Sequence, residues 1–363
     1  MISIPIRAVV LLFLTAFTPP LLASAADSQV VNREWRSACL AQNKIGTDPV
    51  RKMAVYLPAG YDSPGSAERY PVIYYFPMAS DDYRLLFDKQ SAQPLFDRAI
   101  ARGVIGKFIL VSVGMNTPLG PSWYTNSSVT GTWEDFMVRE LVPYMDANFR
   151  TIANRDSRGL VGDRIGGYGA IRVGMRHPEV FGSVYALHPV GTGSGIQIMH
   201  ARPNWDILWS AKSIDDVRKD GFSTLFLTIF QAHLPDPDKP PLFTDLPAHK
   251  AGDQLVIDTK LTDRLRDSFL LETMIPQYAE NLKSLRGFKF DWGRSDGNQD
   301  HVYSNQAFAH KLNEFGIPNE AEEYNGSFGE RNWGEDGRVY TDVLPFFQTH
   351  LIFADTAVSI LKP

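Results

Sequence analysis

The chain has a single cysteine, Cys39, so no intramolecular disulfide can staple it and no cysteine pair can build a zinc site. Cys39 has no neighbouring histidine and reads as a small buried strand residue rather than a nucleophile. Neither sign of charge dominates: 36 Lys and Arg against 41 Asp and Glu leave a formal net charge of −5. That excludes the basic excess by which nucleic-acid binders are recognised. Internal repeats, heptads and low-complexity tracts are missing, and so is any long apolar run beyond the N-terminus. A solenoid, a coiled coil, a disordered chain and a membrane bundle are thereby excluded. A core must hold the protein together, and 363 residues with 22 Phe, 14 Tyr and 7 Trp can supply one.

The one membrane-directed segment comes first. Arg7 precedes an apolar run from Val9 to Phe17, which leads through Pro19-Pro20 to Leu21-Leu22-Ala23-Ser24-Ala25. A positive start, a short apolar stretch and an A-x-A-like site are the order of a secretory signal peptide. The run is too short and too broken by proline to be a spanning helix. Residues 1–25 are therefore expected to be removed, leaving a secreted or periplasmic protein of residues 26–363 that is not bound to a membrane.

Beyond it, β-rich runs alternate with helical patterns, the signature of an α/β fold with a mostly parallel central sheet and helices on both faces. The expected strands are 51–57, 71–76, 108–113, 159–161, 183–188, 288–292 and 321–324. The expected helices are 93–102, 133–149, 167–176, 304–315 and 340–351. From about 189 to 277 the rhythm breaks into irregular helical pieces and a proline-rich stretch, Pro235 to Pro241. This segment is expected to be a cap insertion over the carboxyl ends of the strands, where such sheets bind ligands.

The strongest local signal is Gly159-Leu160-Val161-Gly162-Asp163-Arg164-Ile165-Gly166-Gly167-Tyr168-Gly169-Ala170. A strand feeds a glycine-flanked turn that opens a helix, the geometry of a nucleophile elbow. Gly162 and Gly166 flank a tip occupied by Arg164.

The surroundings resemble a known family. Val55-Tyr56-Leu57-Pro58-Ala59-Gly60-Tyr61-Asp62 with Tyr70-Pro71-Val72-Ile73-Tyr74 is similar to the opening of the esterase D and feruloyl-esterase-like branch of the α/β-hydrolases. Trp133-Glu134-Asp135-Phe136 with Glu140-Leu141-Val142-Pro143-Tyr144-Met145-Asp146 resembles the stretch ahead of that family's elbow. Arg176-His177-Pro178-Glu179-Val180-Phe181-Gly182 resembles the stretch after the elbow, and Leu344-Pro345-Phe346-Phe347 the end of the domain. The resemblance runs from about residue 50 to 351 and is weakest across the cap. It implies an α/β-hydrolase fold and carboxylic ester or thioester hydrolysis, with acyl transfer in some relatives, and no cofactor or metal.

Carried over position by position, the resemblance puts the family's nucleophile on Arg164 and its acid on Asp296. The histidine falls on Phe328, within Tyr324-Asn325-Gly326-Ser327-Phe328, and the oxyanion turn on Pro77, Met78 and Ile165. A guanidinium is permanently charged and cannot attack an acyl carbon. Phenylalanine cannot carry a proton. The family's Ser-His-Asp route is broken at two of three positions.

His301, just past Asp296, is the best stand-in base, although its position, close in sequence to the acid, favours an exposed loop histidine. Asp291, Asp296, Asp300 and His301 match no metal-ligand spacing. His188 ends a strand at the cap entrance, His177 ends a helix, and Asp163 lies beside the elbow tip facing elsewhere. Trp123, Tyr124, Trp133, Trp205, Trp209 and Trp333 are candidates for an aromatic cavity wall or for the core. Two functions fit these residues: a pseudo-esterase that binds a small ester-like or anionic ligand in the old pocket, or an enzyme acting through a non-standard nucleophile or base. Because an unpaired buried carboxylate is expensive, Arg164 and Asp296 are expected to form a direct charge-assisted hydrogen bond. The competing expectation is that Arg164 faces a ligand.

Overall fold

A computed structural model describes residues 27–78, 82–195 and 199–354. The expected signal peptide lies outside them. An eight-stranded sheet forms the middle of the molecule: β1 (Gln29–Arg36), β2 (Val50–Leu57), β3 (Val72–Phe76), β4 (Ile109–Val113), β5 (Arg158–Asp163), β6 (Ser183–Leu187), β7 (Gly287–Gly293) and β8 (Glu320–Tyr324). Their spatial order is β1-β2-β4-β3-β5-β6-β7-β8. The pairs β1/β2 and β2/β4 are antiparallel and the rest parallel.

Strands β3 to β6 are buried at every position, as a parallel sheet covered on both faces requires. Alternate side chains serve the two faces: Val72, Tyr74 and Phe76 join one core, Ile73 and Tyr75 the other. Seven strands match the sequence pattern. β1 does not, because QVVNREWR is an edge strand with polar residues throughout; its register from Gln29↔Leu57 to Arg36↔Val50 is set by β2. Cys39 is corrected too: it lies half-buried in the turn after β1, not in a strand.

The covering helices include α1 (Ala92–Ala101), α2 (Val142–Asn148) and α3 (Ile165–Arg176). The run into α2 starts at Trp133 and winds as a π-helix over Phe136–Leu141. Between β6 and β7 come α4 (Gly221–His233), α5 (Thr259–Phe269) and α6 (Leu271–Lys283). α4 starts where the Asp220 side chain accepts from Ser223 N. It is tied to the body by Trp123 Nε1 donating to Thr228 Oγ1 at 2.9 Å and Ser127 Oγ to the Gln231 carbonyl at 2.7 Å. The expected end of the insertion, about 277, falls inside α6, which packs on α3. α7 (Gln299–Glu314) and α8 (Leu344–His350) complete the layers.

Candidate active site

The elbow is built from the residues that announced it. β5 ends at Asp163, α3 begins at Ile165, and Arg164 between them has φ 56° and ψ −107°. Such a backbone costs about 1–3 kcal/mol and persists only where its surroundings dictate it. Two glycines make it possible. A Cβ at Gly162 would lie 2.1 Å from the Gly166 carbonyl oxygen, and one at Gly166 would lie 2.0 Å from the Phe76 oxygen.

The expected bond between Arg164 and Asp296 is not formed. Arg164 Nη1 donates to Asp163 Oδ2 at 2.9 Å and to Met78 Sδ at 3.0 Å, while Nη2 donates to the Phe328 carbonyl at 3.2 Å. Its guanidinium also sits 4.5 Å from the Phe328 ring centroid. The neighbouring carboxylate wins because it is one residue away and buried with the same turn. Asp163, expected to face elsewhere, is therefore the partner. The loop that carries Phe328 is closed over the arginine, and Gly329 (φ 66°) allows it: a Cβ there would stand 1.8 Å from Arg164 Nη2.

Asp296 is satisfied instead by two histidines. His188 Nε2 lies 3.0 Å and His301 Nδ1 2.7 Å from Asp296 Oδ2, and Asn298 N donates to Oδ1 at 2.8 Å. Burial alone would raise the Asp296 pKa, but the Asn298 N–H and the two histidines hold it below its ordinary value. The backbone settles the His188 tautomer. Gly293 N donates to His188 Nδ1 at 3.0 Å, so the proton is on Nε2 and points at the carboxylate. Full burial, only partly offset by Asp296, pulls the His188 pKa down to about 4. The residue stands just past β6 at φ 45°, with its N–H donating to the Asp291 carbonyl at 2.8 Å.

His301 is no loop histidine. It sits in the first turn of α7, where burial outweighs Asp296 and lowers its pKa. With Nδ1–H on Asp296, its Nε2 is the acceptor and meets Asn298 Nδ2 at 2.9 Å. This is the carboxylate-backed imidazole that general-base chemistry uses. The Phe328 ring is 4.5 Å from the His188 ring and 4.9 Å from the His301 ring, filling the space between them and Arg164.

His188, Asp296 and His301 bring three ligand atoms within 4.8 Å. Zinc ligands at about 2.0–2.1 Å from the ion stand more than about 3 Å apart. The separations of 2.7 and 3.0 Å, with one His188 nitrogen already taken by a backbone N–H, are those of a hydrogen-bonded cluster. Asp291 belongs elsewhere, bonded to Arg338 Nε at 2.8 Å and Tyr185 OH at 2.7 Å, and Asp300 pairs with Arg202.

A cavity of about 290 Å³ opens in front of this cluster. Met78, Arg164, Ile165, His301 and Phe328 form its floor, and Trp123 with Phe226 and Phe269 part of its apolar wall. Tyr124 instead stacks on Phe76 and donates to the Pro77 carbonyl at 3.0 Å. Trp133 is core, Trp205 and Trp209 stack on each other, and Trp333 packs on Tyr75. Sequence reasoning missed Arg202, Asn298 and Gly329, which sit in irregular segments without a motif.

The elbow and the sheet order agree with one family. The family described as "Putative esterase" matches residues 46–335. The chain belongs to that esterase family. An esterase of Mycobacterium tuberculosis is 33% identical over 144 residues, 38% of this chain and 28% of that protein. An endo-1,4-beta-xylanase/feruloyl esterase of Xylanibacter ruminicola is 33% identical over 141 residues, 38% of this chain and 19% of that protein. The chain thus matches less than a third of the length of these esterase relatives. Among solved structures, a ferulic acid esterase superposes with a TM-score of 0.61 at 18% identity, over 89% of this chain and 98% of the other. An S-formylglutathione hydrolase of Agrobacterium tumefaciens gives 0.56 at 13% identity, over 90% and 97%. These esterase-like structures share the α/β-hydrolase fold with this chain.

Proposed function

We propose that this esterase homologue is a pseudo-esterase: it forms no acyl-enzyme and uses the cavity to bind a small molecule. The observation that carries this is Arg164 at the elbow tip, bonded to Asp163 and covered by Phe328 and Gly329. A nucleophile there would need a hydroxyl or thiol and an adjacent base; the elbow has a cation and the base position a hydrocarbon ring. The N-terminal signal pattern supports export, which N-terminal sequencing of the protein secreted by its host would test.

Purified protein incubated with p-nitrophenyl acetate at neutral pH is expected to release nitrophenol at background rate and to resist labelling by a fluorophosphonate probe. Saturable turnover with stoichiometric labelling would refute the proposal.

One observation favours a second reading. The Asp296-backed His301 lines the cavity, and its Nε2 becomes a free acceptor once the Asn298 amide that meets it at 2.9 Å turns aside. Such a group can take a proton from water as the water oxygen bonds to an ester carbonyl carbon, then return it to the departing alkoxide. Turnover without labelling, abolished by His301→Ala, would replace the first reading with this one.

A further inference from the structure

The cavity is lined partly by polar groups, Arg164, Arg202, Asn298, Asp300 and His301 among them, and partly by apolar side chains. Arg202 is the one with an open donor edge. Its side chain is four-fifths buried, with 19% of its surface exposed. Its Nη2 bonds to Asp300 Oδ2 and reaches Asn298 Oδ1 at 3.4 Å. Its Nε and Nη1 have no hydrogen-bond partner among the described residues. A guanidinium has five N–H groups, and these two nitrogens are not fully buried, so they are open to a ligand in the cavity.

The acids that might serve it are committed. Asp163 is on Arg164, Asp296 is shared by His188 and His301, and Asp300 holds the other side of Arg202. Both arginines that line the cavity are ion-paired, Arg164 with Asp163 behind the floor and Arg202 with Asp300, so the lining carries no uncompensated positive charge. The apolar part of the wall is Leu225, Phe226 and Ile229 from α4, with Phe269 and Leu270, and Phe222 at the rim with 54% of its surface exposed.

Resting on the reading of this cavity as a binding site, we propose that its ligand is a small monocarboxylate with an apolar body, held by Arg202 through its carboxylate. A carboxylate presents paired, charged acceptors to the guanidinium edge that Asp300 leaves open. An ester carbonyl offers one neutral acceptor. The volume suits roughly ten to fifteen non-hydrogen atoms. Arg164 at the floor is not the anchor, since Asp163, Met78 and Phe328 engage both of its terminal nitrogens and its Nε is buried.

Isothermal titration of the mature protein with 4-phenylbutyrate and with its neutral analogue 4-phenylbutan-1-ol tests this. The acid is expected to bind about tenfold or more tighter than the alcohol. Arg202→Gln should erase that difference while leaving the alcohol's affinity in place, which also reports that the variant is folded. Leu225→Trp, at a half-buried wall position, should block both probes. Equal affinities for acid and alcohol, or a preference for the acid that survives Arg202→Gln, would overturn the carboxylate assignment while leaving the cavity a binding site. Failure of both probes to bind would overturn it as well. The pseudo-esterase reading fails separately, through fluorophosphonate labelling or turnover of p-nitrophenyl acetate.

Discussion

Arg164 and Gly329 are fitted to each other: a Cβ at Gly329 would lie 1.8 Å from Nη2 and 2.3 Å from Cζ of the guanidinium. The residue at the elbow tip and the residue after Phe328 form one packed unit, so the space in front of the elbow is filled.

The first expected outcome concerns this pair. Gly329→Ala is strained both by its positive φ and by the overlap with Arg164, at a cost of about 2–4 kcal/mol together. In an Arg164→Ala background the overlap vanishes and the φ cost stays. A double-mutant cycle by urea denaturation should therefore give a coupling of about 1–2 kcal/mol. A coupling near zero would mean that the loop moves aside at no cost.

A second outcome concerns reactivation. On the proposed pseudo-esterase reading, Arg164→Ser alone supplies an oxygen while the Phe328 ring still stands between the elbow and the histidines, so no turnover of p-nitrophenyl acetate is expected. Arg164→Ser with Phe328→His should give measurable but weak turnover, because Asp296 is already shared by His188 and His301. If the single change reacts with a fluorophosphonate, His301 is serving as its base, and His301→Ala on top should abolish the labelling.

His188 should make the protein acid-sensitive. Its folded pKa, about 4, lies below its ordinary 6.5. The unfolded chain therefore binds the proton more readily, and stability falls as the pH drops from 6.5 towards 4, by up to roughly 3 kcal/mol. His188→Gln should be less stable at pH 7.5 yet show a flatter slope over that range in urea midpoints. An unchanged slope would place the acid sensitivity in other groups.

His177 should act with the opposite sign. Burial would lower its pKa, but bonds to Glu134 at 2.8 Å and Glu179 at 3.0 Å raise it. Burial likewise opposes ionisation of Glu134, yet His177 and Arg176 hold it at about 2, below its ordinary 4.5. The pair stabilises fully between about pH 4.5 and 6.5. It weakens above that window as His177 loses its proton, and below it as Glu134 gains one. His177→Gln is expected to cost roughly 1 kcal/mol more at pH 5.5 than at pH 9. An equal cost at both would show that the contribution is packing rather than charge.

The sheet and the elbow are legible in the residues alone. Alternation and apolar runs specify strands such as Val72–Phe76 because burial on both faces leaves no other use for them. Gly162 and Gly166 specify the turn because backbone oxygens lie where their side chains would be. The identities of Arg164 and Phe328 are likewise read without any coordinates: neither side chain can act as a nucleophile or shuttle a proton, and the proposed pseudo-esterase reading starts from that. Who pairs with whom was settled only in three dimensions. Arg164 reaches for Asp163, one residue away, and Asp296 is met by His188 from 108 positions earlier. That second contact exists because β6 and β7 are neighbours in the sheet, so that their carboxyl ends deliver His188 and Asp296 to one place. Charge and hydrogen-bond needs are written in the sequence, but which of several eligible partners meets them depends on distances that only strand order and loop closure set.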